Sequence, residues 1–213
     1  MCSEQRINIE FQHRKRQAWA SFHKYKHVLT NRNISVKKRL QFFECCVNPS
    51  MLYGLLNFPM TKKMLRDMDI TQRKMLRNII GWRRIQSETW EDTMSRMKRR
   101  IQQTELLYKC KTWSTQYAKL QWRYVNHIMN THPSNWIKRL CDYTKNLQQD
   151  PFSPISPMRR RGHPRCKWDD YIFQFCRLRW PDRSTWHWIE IFTEENVLTY
   201  ENEFVDFIAR ILE

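Results

Sequence analysis

Glycine is scarce, with three in 213 residues: Gly54, Gly81 and Gly162. No glycine-rich phosphate loop can be assembled from them. No run of 18 apolar residues occurs and mean hydropathy is −0.79, which excludes a membrane-spanning helix. The first residues, MCSEQRINIEF, have no apolar stretch behind a basic start, so no secretory signal is expected. The seven cysteines are odd in number and contain no CxxC pair. They read as reduced thiols of an intracellular chain, nuclear or cytoplasmic. Acids are few, 21 against 38 Lys and Arg, for a formal charge of +17.

That charge is unevenly spread. From Trp186 onward seven acids face Arg210 alone, a net of −6, which leaves +23 on the residues before it. Aromatics make up 14% and include ten Trp, enough to build a core, so this is not a disordered basic tail. A folded basic body points first to nucleic acid, with an anionic membrane surface as the plainer competitor.

The apolar spacing is helical almost throughout, and no strand-period alternation of useful length occurs. Phe11, Ala18, Phe22, Tyr25 and Leu29 line one face. Ser35 suits the cap of a second helix carrying Val36, Leu40, Phe43 and Val47, which Pro49 should end or kink. Thr61 can cap a third, with Met64, Leu65, Met68, Met75, Leu76, Ile79 and Ile80, closed by Gly81. Ser87 or Thr89 opens a fourth, with Trp90, Met94, Met97, Ile101 and Leu107 facing inward. Ser114 opens a fifth (Tyr117, Leu120, Tyr124, Ile128) and Ser134 a sixth (Ile137, Leu140, Cys141). Residues 150–164, DPFSPISPMRRRGHP, hold four of the eight prolines and read as an extended linker. Beyond it, Trp168, Ile172 and Phe175 predict a short helix. Asp182 or Ser184 should cap a final one from about Trp186 to the end. The expected fold is all-α: a helical bundle over 1–146, a Pro/Arg-rich linker over 147–166, and a helical unit with an acidic tail over 167–213.

Asp169 and Asp170 in KWDDY invite comparison with the carboxylate pairs of two-metal enzymes. They open a helical pattern, where the dipole favours acids, and no further clustered carboxylate accompanies them. The tract Arg159, Arg160, Arg161, Arg165 and Lys167 is held extended by Gly162 and Pro164, so its guanidinium groups suit a phosphate chain. The adjoining Trp168 is a candidate to stack on a base. Three basic runs on helices accompany it: Arg14-Lys15-Arg16, Lys37-Lys38-Arg39 and Lys98-Arg99-Arg100. For zinc, the best sets are Cys110, His127, His132 and Cys141, or His163, Cys166 and Cys176. The first lacks the tight spacing that pre-forms half a site and the second supplies only three ligands, so no metal or cofactor is expected.

Several segments resemble, in order, the region after the palm of non-LTR (LINE-type) retrotransposon reverse transcriptases. NRNIS and VKKRLQFFECCVNPSMLYG (31–54) match "K..L....V.P.LLYG". PMTKKMLRDMDITQRKMLRNIIGW (59–82) matches "LTKK…L…..R.LR.I.G". LQWRYVNHIMN (120–130) is similar to "LRW.GH", with Asn126 in place of the glycine. RRRGHPRCKWDD (159–170) is similar to "RGRPR.RW.D", with His163 in place of an Arg, and PDRSTW (181–186) fits "DR..W".

The resemblance implies a thumb-like helical region and tail of a retrotransposon polyprotein. Its helices would grip the backbone of a template–primer duplex, and its tail would contact element RNA or target DNA. On that basis the nucleic-acid-binding candidates are Lys62, Lys63, Arg73, Arg77, Arg159, Arg161, Arg165 and Trp168, with Arg160 and Lys167 added by charge. The partners are RNA or DNA and other parts of the polyprotein. The palm with its catalytic Asp residues is not in the chain, so the resemblance implies a fragment without polymerase activity of its own. The alternative is a helical protein–protein module whose acidic tail, with Ile191, Val205, Ile208 and Leu212 as its apolar side, docks on and masks the basic body.

Overall fold

A computed structural model describes residues 3–149, 168–183, 187–195 and 197–212. Residues 150–167, which include most of the expected linker with Arg159, Arg160, Arg161 and Arg165, and Lys167 just after it, lie outside the described residues, while 147–149 are helical. The fold is all-α, with no strand among the described residues. In order come α1 (Ser3–Lys24), α2 (Lys26–Leu29), α3 (Val36–Cys46), α4 (Asn48–Leu52), α5 (Lys62–Ile80) and α6 (Trp90–Tyr108). They are followed by α7 (Trp113–Asn130), α8 (Trp136–Gln149), α9 (Asp170–Arg179), α10 (Trp188–Glu194) and α11 (Glu201–Leu212). Single 3-10 turns stand at Leu55–Asn57, Pro181–Arg183 and Val197–Tyr200.

The chain forms two compact units, which divide inside α7, after Tyr117. The sequence places that division in the Pro/Arg segment instead. The reason for the difference is Trp122, fully buried among Phe175, Phe192 and Phe204 at 4.8–5.3 Å between ring centroids. It makes the second half of α7 the spine of the C-terminal unit. The core of that helix follows Tyr117, Ala118, Gln121, Trp122, Val125 and Ile128, whereas Leu120 is exposed.

In the N-terminal unit α1 packs on α4, α5 and α3, and α5 packs on α3 and α6. Phe11, Ala18, Phe22 and Leu29 are buried as their spacing predicts, although the helix breaks at Tyr25. Leu40, Phe43 and Val47 come from α3 and the residue after it. Pro49 sits in the first turn of α4, where its missing N–H costs nothing. The Cys46 carbonyl at that break accepts the Ser21 hydroxyl at 2.8 Å instead. Ser35, Thr61 and Thr89 cap α3, α5 and α6, each accepting an N–H three residues on. Gly81 ends α5 at φ 92°, a left-handed conformation that glycine adopts without penalty.

Four expectations need correction. Trp90 and Leu107 do not face inward: they are 55% and 71% exposed. They lie at the two ends of α6, beyond the stretch that packs through Thr93, Met97 and Ile101. Thr112, not Ser114, makes the local cap of α7, its hydroxyl accepting the Thr115 N–H at 3.2 Å. Asn135, not Ser134, does so for α8, accepting the Ile137 N–H at 2.9 Å. The expected final helix is two, α10 and α11. His187 opens the first in a reciprocal capping box with Glu190, and the 3-10 turn at Val197–Tyr200 separates them.

Candidate nucleic-acid interface

The buried side of α5 carries Leu65, Met68, Met75, Leu76 and Ile79. At 100° per residue, the opposite side collects Lys62, Lys63, Arg66, Arg73, Lys74 and Arg77 within an arc of about 120°. Arg77 is half-buried and the other five are exposed. No acidic side chain falls within that arc. Asp67 lies just outside it, and both its oxygens accept from the Lys15 ammonium, at 2.8 and 3.0 Å. From Lys62 to Arg77 the row runs about 22 Å, at 1.5 Å rise per residue. Of the sequence-derived candidates, the structure therefore brings Lys62, Lys63, Arg73 and Arg77 to one face, and it adds Arg66 and Lys74.

A buried polar cluster fixes the inner side of this helix. Asp69 is 8% exposed and accepts both the Ser114 N–H (2.9 Å) and the Ser114 hydroxyl (2.6 Å). Gln72 accepts the Trp113 N–H at 2.8 Å and donates to the Lys111 carbonyl at 3.0 Å. The Trp113 indole donates to Asn48 Oδ1 at 2.7 Å. Two α5 side chains thus satisfy orphan N–H groups of the first turn of α7. Burial pushes the Asp69 carboxyl above the usual aspartate range, against the opposing effects of the Ser114 bonds and Arg73. Burial likewise raises Glu105, again with Arg73 opposing, so part of the Arg73 charge is balanced from within.

The three basic runs divide. Arg14 pairs with Glu10 at 2.7 Å and lies over the Tyr53 ring, and Lys15 holds Asp67. Arg39 is buried, donating to the Ile34 carbonyl at 3.0 Å and to the Ile79 carbonyl at the end of α5. It is a helix-end brace rather than a surface cation, and burial lowers its pKa. Lys98, Arg99 and Arg100 are exposed, with no ion partner among the described residues.

In the C-terminal unit the acids are engaged. Glu201 accepts from Arg123 at 2.6 and 3.0 Å, with the Lys119 ammonium 3.3 Å away. Glu203 pairs with Arg179 and Glu195 with Arg183. Phe204, Val205, Phe207 and Ile208 of α11 are core, so the acidic segment is an integral helix of this unit. Trp168 is half-buried, its ring edge-on to Trp188 and Tyr124. Asp169 precedes α9 without a side-chain cap bond to it and instead accepts the Trp188 indole N–H at 2.9 Å, and Asp170 stands in the first turn. Among the described residues no group of three His, Cys, Asp or Glu side chains could hold a metal ion, and no helix is long and apolar enough to cross a membrane.

No protein-family model, no curated protein and no solved structure matches the chain. The functional residues that sequence reasoning missed are Arg66 and Lys74 on the α5 face, and the supports Asp69, Gln72 and Arg39. A helical wheel of α5 finds the first two. Asp69, an acid on the apolar side next to Met68, was the visible signal for the third.

Proposed function

We propose that the chain binds nucleic acid through the sugar–phosphate backbone, with the outer face of α5 as its principal contact. The observation that carries this is the acid-free row of Lys62, Lys63, Arg66, Arg73, Lys74 and Arg77 on a single straight helix. At 3.4 Å of axis per phosphate on each strand, about 22 Å spans roughly six phosphates of one strand. Such contacts position a duplex without reading its sequence. Lys98, Arg99 and Arg100 on α6, and the Arg159–Lys167 tract, add charge to the same purpose. The resemblance to the post-palm region of non-LTR reverse transcriptases agrees with this reading. Its segment 59–82 is the one that forms α5 and its glycine stop, and 36–54 spans α3, α4 and the turn at Gly54. On this proposal RNA and DNA duplexes and hybrids are the ligands, and the chain carries no polymerase chemistry.

The test is fluorescence anisotropy with an RNA–DNA hybrid hairpin and a matched DNA duplex over a range of salt. The wild type should bind both, weakly dependent on sequence and steeply dependent on salt. Replacing Lys62, Arg66, Arg73 and Arg77 together by Ala should reduce the magnitude of the log–log salt slope by about 3.6, since each neutralised phosphate contributes about 0.9. An unchanged slope with intact helicity would overturn the assignment to α5.

A further inference from the structure

Beyond the backbone contacts, and resting on them, a second feature stands at the C-terminal end of α5. Gly81 stops the helix and delivers Trp82 directly after it. Trp82 and Trp90 are 40% and 55% exposed, large apolar rings left in solvent. Their centroids lie 6.0 Å apart with the planes tilted 54°. The loop from Trp82 to the start of α6 at Trp90 is clamped. Arg96 Nη2 donates to the Arg83 carbonyl at 2.7 Å, and its guanidinium holds both oxygens of Glu88 at 2.9–3.0 Å. The Thr93 hydroxyl donates to Glu88 at 3.1 Å, and Thr89 caps α6 at Asp92.

The charges around the pair follow from that clamp. Glu88 is neutralised by Arg96, and the Asp92 carboxylate accepts the Thr89 hydroxyl at 2.7 Å. The hydroxyl leaves Asp92 its charge, so exposed Arg83 and Arg84 stand against Glu91 and Asp92, and the positive excess comes from Arg77 and Lys74 of the basic row on the preceding turns. Two exposed indoles on a braced loop, beside cations at the end of a phosphate-binding helix, have the composition of a stacking platform for unpaired bases.

We propose that Trp82 and Trp90 stack unpaired bases of a single strand whose backbone is held by Arg83, Arg84 and the α5 row. Arg96 is the positioning residue that holds the platform's loop.

The experiment uses the full chain and two labelled 16-nucleotide strands of equal charge: oligothymidylate, and an abasic strand of the same length with no bases. The wild type should bind the base-bearing strand at least about thirtyfold more tightly than the abasic one, since one base stacks on each of the two indoles. Trp82→Ala with Trp90→Ala should bring the two affinities together while leaving abasic binding and its salt slope unchanged. Trp82→Phe with Trp90→Phe should restore most of the preference, which a merely structural defect would not allow. Equal binding of the two strands by the wild type, or a preference that survives the Ala pair, overturns the platform and leaves the backbone proposal standing. Failure to bind either strand at low salt overturns the platform, and failure to bind the hybrid hairpin and the duplex as well overturns both proposals.

Discussion

Asp69 is the most consequential acid in the N-terminal unit, and its removal has a calculable cost. Its carboxylate receives two donors from Ser114, which is 4% exposed. Asp69→Ala strands the Ser114 N–H away from water, at about 1–3 kcal/mol, while the Ser114 hydroxyl can turn to Thr112 Oγ1 at 2.9 Å. The carboxylate's own desolvation, which raises its pKa, is recovered and offsets part of that loss. The net expectation is about 1–2 kcal/mol of destabilisation. Asp69→Asn should cost less than about 1 kcal/mol. Its amide oxygen still accepts the Ser114 N–H, and its NH2 can donate to Ser114 Oγ, whose proton turns to Thr112 Oγ1 at 2.9 Å. The pH dependence has a definite sign. An acid whose folded pKa is raised binds its proton more readily in the folded state. Its stability contribution is therefore greatest below the ordinary value of 3.8 and falls as pH rises through the higher folded value. The stability of Asp69→Asn relative to wild type should then improve as pH rises from about 4. Urea unfolding followed by helical circular dichroism, with a constant m-value, measures all three proteins. An Asp69→Ala variant within about 0.5 kcal/mol of wild type, or a reversed pH trend, would refute the capping role.

The remaining predictions concern the C-terminal unit and the thiols. Trp122→Ala should cost about 3–5 kcal/mol, because the indole is fully buried and donates to the Val197 carbonyl at 2.8 Å. Trp122→Phe should cost less by keeping the ring contacts, and chemical unfolding ranks the two. Truncation before Glu201 should abolish the fold of the C-terminal unit, since Phe204 is 0% exposed. A cooperatively folded truncation that binds nucleic acid more tightly would instead favour a masking tail. Burial pushes the Cys176 thiol up to about 12 and Cys110 up to about 11, while Cys45 is exposed. Timed alkylation at pH 8 with peptide mapping should therefore modify Cys45 early and Cys176 only on unfolding.

How far the sequence could be read depended on the range of the interaction. Ser35 and Thr61 were legible as caps, and Thr89 as one of two candidates beside Ser87, because the bond reaches only three residues along the chain. The start of α7 was not, because Asp69 and Gln72 bind its N–H groups from more than 40 residues away. The same holds for Trp122: a pattern through Leu120 and Tyr124 fits the helical period equally well, and only the partners Phe175, Phe192 and Phe204 select the face that is buried. Arg39 illustrates the opposite error. Within Lys37-Lys38-Arg39 it has the same charge as its exposed neighbours, but the Ile79 carbonyl draws it inside.

The candidate interface divides on the same line. The α5 row is local, since a helix with one apolar side must present whatever remains on the other. Its cations can therefore be assigned from spacing alone, and the wheel includes Arg66 and Lys74 as readily as Arg73. What turns a charged face into a binding surface is non-local: Asp69 and Gln72 hold its inner side, and Arg96 fixes the loop that follows. If the row acts only as a sum of charges, loosening the loop should not matter. Arg96→Ala combined with Glu88→Gln, which removes the cation and the carboxylate it neutralises together, should then leave the affinity for an abasic strand within about twofold, because phosphate binding depends chiefly on charge count. If bases stack on Trp82 and Trp90, the same pair of substitutions should erase most of the preference for the base-bearing strand. Arg96→Lys keeps the charge but not the fork that joins Glu88 to the Arg83 carbonyl. It should therefore behave like the double variant in that comparison, and retention of the full preference would show that the clamp does not set the platform.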